Sequence, residues 1–578
     1  MDTVRQDVNY SSIDSSEGLR WRNVDLNFLP SPSSSSPPMK FYHSNRFKIV
    51  ATFLLISLSI LISGTCIAYY GKMANNSSVT SGSFNLNNLP NEQLIWFEKG
   101  EAELLKALNR KENSRKARNV ILFVGDGMGP NTVTAARIYG FGEDGLMAWE
   151  EFPNMGLLKT YCADKLVPDS ASTATALFSG VKTNYETSGI DASVHFADCP
   201  NSLNSLHQLP TIMSWAQDEG LHTGFVTTTR VTHATPSALY AHVPDRSWEC
   251  ENNIPEYARV QGCTDIATQL VEGNVGQKIN VIMGGGRQML ISNISGSKED
   301  PLDTWAGYSK DGRHLIQKWM RKKQEQNRLY QVVQNRDELM AIDGTSVNYV
   351  LGIFANGHLK YDNELDMGSG SMPSLKEMTV KALQILSSRE RGFLLVVEGG
   401  LIDQAHHRGK AKKAINEVLA FNNAINASIQ ALSEEELENT LIIVTADHSH
   451  TLTINGYPKR GTSVFGIAGN SKTEGTPYTV LTYGTTGKGF QTDDKCLRKD
   501  PATDDTENWE YTQQGAVNTD ENSHGGSDVT IHATGAMSHL FHGVHEQSYV
   551  AHAISYALRI GRFRESALVN QLNEKTTP

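Results

Sequence analysis

"NVILFVGDGMG", residues 119–129, decides the fold. Val120 to Val124 run without a polar interruption and close on Gly125 and Asp126. A half-exposed strand would alternate, and an amphipathic helix would need a longer period, so the run reads as a strand buried on both faces. The same pattern returns in "HTGFVTTT" (222–229), "INVIMGGG" (279–286), "NYVLGIFA" (348–355), "GFLLVVEGG" (392–400) and "TLIIVTADHSH" (440–450). Amphipathic stretches such as "PSLKEMTVKALQILSS" (373–388) lie between them. This alternation predicts an α/β fold, a mostly parallel central sheet covered by helices on both faces. No short-period internal repeat is visible, and the polar Gly/Thr/Asp-rich stretch 455–522 reads as an insertion or small subdomain over the core.

The whole chain has 578 residues, 39% hydrophobic and 20% charged, as in ordinary globular proteins. A net charge of -11 argues against a nucleic-acid partner, whose phosphates require clustered Lys and Arg. The one dense basic run, 318–328, has helical composition and reads as a solvated face.

The first 90 residues differ from the rest. Residues 49–70 carry no charge and as a helix would span about 33 Å, enough for a bilayer core. Lys40, Arg46 and Lys48 precede them and only Lys72 follows closely, which places the N-terminus in the cytoplasm. The organisation expected is a disordered tail (1–48, with "SPSSSSPP"), an uncleaved transmembrane signal anchor (49–70), a lumenal stalk (71–105), a folded domain (106–565) and a C-terminal tail (566–578). Asn75, Asn76, Asn293 and Asn426 lie in glycosylation sequons on the lumenal side. Cys66 falls in the anchor; Cys162, Cys199, Cys250, Cys263 and Cys496 face an oxidising compartment, so one or two disulfides and at least one free thiol are expected.

Three buried strands end in acids: Asp126 after "ILFVG", Glu398 closing "FLLVV", and Asp447 with His448 after "LIIVTA". Ligands gather at the carboxyl ends of parallel strands, so these groups are expected to converge across hundreds of residues. Asp403 and His407 are four apart and share a face if a helix begins there. His524 precedes two glycines that permit close backbone approach. Carboxylates mixed with imidazoles suit zinc, and an oxygen-only shell suits magnesium. Lone histidines such as His314 and His358 read as structural. In "PDSASTATAL" (168–177), Asp169 or Ser170 reads as a helix cap, and Ser170 as a hydroxyl needing a base or metal to become a nucleophile.

These residues resemble the alkaline phosphatases from about 118 to 560, through "VGDGMG", "VPDSASTATA", "GVKT", "THATPSALYAHVPDR", "VEGGLID", "VTADHSH" and "SHGGSDV" in the family's order. The resemblance implies one zinc on Asp403, His407 and His524, and a second on Asp126, Asp447 and His448 with Ser170 as nucleophile. It implies magnesium on Asp126, Thr235 and Glu398, phosphoryl binding by Arg246 and by N–H groups at the helix start, a crown-type inserted subdomain, and a homodimer. His233 is expected to tune the magnesium shell without ligating. Cys263 is expected in a disulfide, with Cys250 and Cys199 both open as its partner. The implied charges balance around a doubly charged phosphate monoester, whereas a diester would leave the site positive.

The anchor, and a C-terminus without a hydrophobic tail, resemble the fungal repressible vacuolar branch, which implies a vacuolar membrane; the plasma membrane fits the topology equally. The alternatives are a phosphodiesterase or nucleotide pyrophosphatase of the same superfamily and a catalytically inactive receptor. Dominant diester turnover would mark the first, and a lumenal domain that binds no metal the second.

Overall fold

The computed structural model describes residues 89–564, except 367, 389, 488–491 and 493–496. The expected tail, the anchor 49–70, the stalk up to residue 88, Asn75, Asn76, Cys66, Cys496 and the C-terminal tail lie outside the described residues. Among the described residues no helix is long and apolar enough to cross a membrane. The chain forms two units, Met1–Ala102 and Glu103–Pro578. A helix, Asn91–Leu108, runs across the stalk boundary expected at 105 and buries none of its residues.

In chain order the strands are β1 (Asn119–Gly125), β2 (Asn154–Lys159), β3 (His222–Arg230), β4 (Val281–Gly285), β5 (Tyr330–Val333), β6 (Tyr349–Ile353), β7 (Phe393–Gly399) and β8 (Thr440–Ala446). Short strands follow: β9 (Ser449–His450), β10 (Leu452–Ile454), β11 (Ile467–Asn470), β12 (Pro477–Thr479), β13 (Leu481–Thr486), β14 (Gly515–Asn518) and β15 (His524–Gly525), then β16 (Val529–Gly535) and β17 (Gly543–Glu546). Ten of them form one sheet in the order β17-β2-β16-β8-β1-β7-β3-β4-β6-β5. Only β16 runs against the rest, pairing antiparallel with β2 and β8. β1, β7 and β8 are buried at every position, as continuous apolar runs require. β2, β5, β16 and β17 are partly exposed, and their mixed composition hides them from a search for unbroken apolar runs.

The predicted helix at 373–388 forms as Leu375–Ser387, closed by a capping box between Ser374 and Glu377. The basic run differs from expectation. Its helix, Leu315–Glu325, buries Lys323, whose ammonium donates to Gln277 O and lies over the Trp319 and Tyr349 rings. A lysine that tethers its head in this way reads as surface charge in sequence and is core in the fold. The stretch 455–522 contributes the small sheet β11-β12 and, joined to β10 just before it, β13 and β14 of a second. Cys263 pairs with Cys199, leaving Cys250 and Cys162 as buried free thiols. Asn293 and Asn426 are exposed.

Register brings the acids together. Gly125 of β1 lies level with Ala446 of β8, so Asp126 and Asp447 leave the sheet side by side. Glu398 of β7 pairs with Val124 on one side and Thr227 of β3 on the other.

Candidate active site

Ser170 opens the helix Ser170–Ser179, which is buried throughout. Asp169 caps it, accepting from Ala171 N (3.0 Å) and Ser172 N (3.3 Å). The same carboxylate accepts from Glu186 N (2.9 Å) and Arg246 Nη1 (3.2 Å), so one cap fixes both the serine and the arginine. Because Asp169 occupies those two helix N–H groups, they are not free for a phosphate. Ser170 Oγ donates to Asp126 Oδ1 (3.3 Å) and lies 3.1 Å from His448 Nε2.

Asp403 and His407 share one face of the helix Leu401–His407, as their spacing requires. Asp403 Oδ1 lies 3.3 Å from His407 Nε2, 3.4 Å from His524 Nε2 and 2.5 Å from His450 Nε2. His407 Nδ1 donates to Asn522 O (2.7 Å) and His524 Nδ1 to Pro168 O (2.8 Å). Those bonds fix both tautomers and leave two Nε2 atoms facing each other at 3.0 Å. Lone pairs so opposed call for a proton or a metal between them. Gly525 permits the approach, since a Cβ there would lie 2.6 Å from Ser449 Oγ. Gly127 is bound more tightly still: its φ is +68°, and a Cβ would meet His450 at 2.7 Å and Asp403 at 3.1 Å.

The second group joins Asp126, Asp447 and His448, with His448 Nε2 3.5 Å from Asp126 and 3.3 Å from Asp447. Gly127 N (3.0 Å) and His448 N (2.7 Å) donate to Asp447 Oδ1, and Thr173 Oγ1 (3.2 Å) donates to Asp447 Oδ2. The third group lies at Asp126 and Glu398. Thr227 donates to Glu398 Oε2, and so does Thr229 Oγ1 at 3.1 Å. His233, expected outside the ligand shell, offers a ring nitrogen within ligand range of Asp126 and Glu398.

Burial and the crowding of Asp447, Asp403 and Glu398 push Asp126 well above the usual carboxylate range. Burial lifts Glu398 to about 7 against its hydrogen bond from Thr227, and Asp447 to about 6 against the Gly127 N–H. Asp403 goes the other way: burial is outweighed by His407, His450 and His524, which hold it well below its ordinary value. Burial opposes but does not prevent the Asp403 carboxylate and Glu521 from raising His407 to about 9. Burial and His524 hold His448 well down, and burial, Arg230 and Arg246 do the same to His233.

Among the described residues Asp126 Oδ2, Glu398 Oε1, Thr235 Oγ1 and His233 Nδ1 are buried without a hydrogen-bond partner. Buried acceptors left unpaired this way are costly unless a cation meets them. The donor set fits metal: imidazole and carboxylate around Asp403, and carboxylates with the His233 imidazole around Glu398, where the Thr235 hydroxyl is also unpaired.

Of the residues expected to act, Ser170, Arg246, Asp126, Asp403, His407, Asp447, His448, His524 and Glu398 come together here, and Thr235 is buried with its Oγ1 unpaired. Two that matter were not assigned there. His450, second histidine of "DHSH", holds Asp403 Oδ1, and its spacing of two from His448 was the available signal. Asn522 grips both His406 O through its amide and His407 through its carbonyl. His358 sits in a structural place, as read from sequence: it accepts from Arg230 Nη1 (2.8 Å) and packs edge-on against His233 at 5.1 Å. His233 Nε2 in turn meets Arg246 Nη2 at 3.3 Å.

Comparison with known proteins agrees. The alkaline phosphatase family matches residues 117–560. The human tissue-nonspecific alkaline phosphatase is 42% identical over 475 residues, 81% of this chain and 88% of that one. The alkaline phosphatase of Gadus morhua is 41% identical over 482 residues, covering 82% and 98%. Alkaline phosphatase 4 of Drosophila melanogaster is 39% identical over 509 residues, 82% of each chain. Among solved structures, that of the Thermus thermophilus alkaline phosphatase shares the fold at a TM-score of 0.53 and 22% identity, covering 81% of this chain and 98% of that one. With Ser170, the Arg246 guanidinium and converging acids in one pocket, and these similarities along most of its length, the chain belongs to the alkaline phosphatase family, the metal-dependent phosphomonoesterases.

Proposed function

We propose that the chain hydrolyses phosphate monoesters through a phosphoserine on Ser170, with two zinc ions and one magnesium ion. The observation that carries this reading is Ser170 Oγ, buried between Asp126 and His448 while Arg246 is fixed by the same Asp169 that caps the Ser170 helix. Asp403, His407 and His524 would hold one zinc, Asp126, Asp447 and His448 the other, and Asp126, Thr235 and Glu398 the magnesium. When bound, these ions supply Lewis-acid polarisation of phosphoryl and leaving oxygens and favour the ionised serine.

Arg246 receives two phosphoryl oxygens in its planar fork, with Asp169 and His233 holding its two terminal nitrogens in place. Ser170 Oγ attacks phosphorus in line as the ester oxygen departs with the alcohol. Water then attacks phosphorus from the vacated side, releasing phosphate and restoring the serine. Asn522 and Pro168 carbonyls keep His407 and His524 in one tautomer throughout.

Further parts of the proposal are the anchor 49–70, with the catalytic domain on the lumenal or extracellular face, a vacuolar membrane, a homodimer, and glycans at exposed Asn293 and Asn426. The Cys199–Cys263 disulfide supports an oxidising compartment. Trapping labelled phosphoenzyme at acidic pH tests the mechanism. Ser170→Ala is expected to remove the label and the turnover; a normal phosphoenzyme in that variant would place the nucleophile elsewhere.

A further inference from the structure

Arg408 directly follows the Leu401–His407 helix that carries Asp403 and His407. Its Nη1 donates to Gln404 O (2.6 Å) and to Gln404 Oε1 (3.1 Å). Gln404 Nε2 donates in turn to Asp403 Oδ2 (3.3 Å), so two hydrogen bonds separate this guanidinium from a carboxylate of the metal pocket. Burial, then Arg230, His233 and Arg408, hold His358 well below its ordinary value, and His358 packs against His233, which meets Arg246.

Two other arginines beside the pocket are neutralised by buried acids, Arg230 by Glu249 and Arg246 by Asp169. Arg408 is exposed and makes no ion pair among the described residues, where its Nε and Nη2 also have no partner. Glu521, the exposed acid that reaches His407 Nδ1 at 3.5 Å, does not come within ion-pair distance of it. The chain thus presents, one residue past a histidine of the pocket, a positioned cation whose fork matches an oxyanion.

We propose that Arg408 is a specificity-determining residue that binds a second anionic group on the leaving alcohol, so that monoesters bearing an additional oxyanion, carboxylate or phosphate, are favoured over neutral ones. The inference rests on the phosphomonoesterase reading above. Because the site is exposed, the expected preference is modest, about three- to fivefold in kcat/KM.

The experiment compares phenyl phosphate with 4-carboxyphenyl phosphate, and propyl phosphate with propane-1,3-diol bisphosphate, on the metal-loaded full chain. For each pair the ratio of kcat/KM values is compared between wild type and variant, which cancels intrinsic leaving-group reactivity. Arg408→Gln is expected to lower the ratio by that factor, Arg408→Glu to lower it further, and Arg408→Lys to keep part of it. Loss in only the first or only the second pair assigns the site to carboxylate or phosphate respectively. The wild-type preference is also expected to fade as salt rises. Ratios identical in wild type, Arg408→Gln and Arg408→Glu would overturn the assignment. Binding of 3-phosphonopropionate against propylphosphonate gives the same comparison without turnover. If wild type turns over neither ester, the phosphomonoesterase reading fails, while a Kd ratio that still depends on Arg408 upholds the anion site and one that does not overturns it.

Discussion

Carboxylates are buried in two ways in this chain. Around Arg230, Glu249 receives Nε and Nη2 (2.9 and 2.7 Å) and Thr232 (2.6 Å), while Nη1 reaches Asp303 (2.8 Å). Around Ser170, Asp126, Glu398 and Asp447 crowd together with acceptors left over, and the nearest guanidinium, Arg246, is engaged by Asp169. Glu249 and Asp303 push Arg230 up despite its burial, whereas burial and mutual repulsion push the second set of acids up. A buried acid needs a cation, and where the chain withholds one the site is built for a cation from solution. The first cluster is structural, and the second is chemistry.

The contrast is broken most directly by removing metal. Exhaustive chelation is expected to lower kcat at least about a thousandfold, with zinc plus magnesium restoring it, and to leave the Arg230 cluster intact. Unchanged turnover after chelation would contradict the difference between the clusters. Next comes the chain's own cation. Arg230→Met strands Glu249 and is expected to destabilise the metal-loaded protein by about 3–5 kcal/mol in urea unfolding. The double variant Arg230→Met, Glu249→Leu is expected to recover part of that loss; a single variant as stable as wild type would show the pair to be dispensable.

Arg246→Ala takes the guanidinium from Ser170's side. A fall of about a hundredfold in kcat/KM is expected, with weaker inhibition by inorganic phosphate. Inhibition as strong as wild type would exclude Arg246 from phosphate binding.

Glu417 sharpens the comparison as a third case, a buried acid on the Ala411–Ala431 helix that no arginine pairs among the described residues and that lies outside the three metal groups. Burial lifts it to about 8 against its hydrogen bond from Asp362 N, so it folds protonated. With the folded value raised, its contribution is complete below the usual range near 4.3 and is lost as pH rises through about 8. Glu417→Gln is expected to remove a slope of up to about 1.4 kcal/mol per pH unit between those limits. Tm of the metal-loaded proteins at pH 5 and 8 measures it, and parallel pH profiles would refute it.

Much of the pocket was legible because its chemistry lies at strand ends. Asp126, Glu398 and Asp447 each close an unbroken apolar run, and Asp403 with His407 obeys a helical spacing. Asp169 was legible as a cap, and not as the residue that also holds Arg246 77 positions away. His233 was read, from the resemblance, as tuning the magnesium shell without ligating, and its sequence gives no sign that its ring nitrogen lies within ligand range of Glu398, 165 residues on. Lys323 looks like a surface residue until the group it touches, Gln277 O, is known.

By itself, then, the amino-acid order determined the α/β alternation, the capped serine and the acids at the ends of buried strands, since each depends on hydrophobic period and side chains within a few residues. Only the tertiary structure decided that Cys199 and not Cys250 joins Cys263, that His450 holds Asp403, and that one cluster of acids receives a guanidinium while the other waits for metal. Those outcomes turn on contacts between segments tens to hundreds of residues apart, and local propensity carries no information about which distant group arrives.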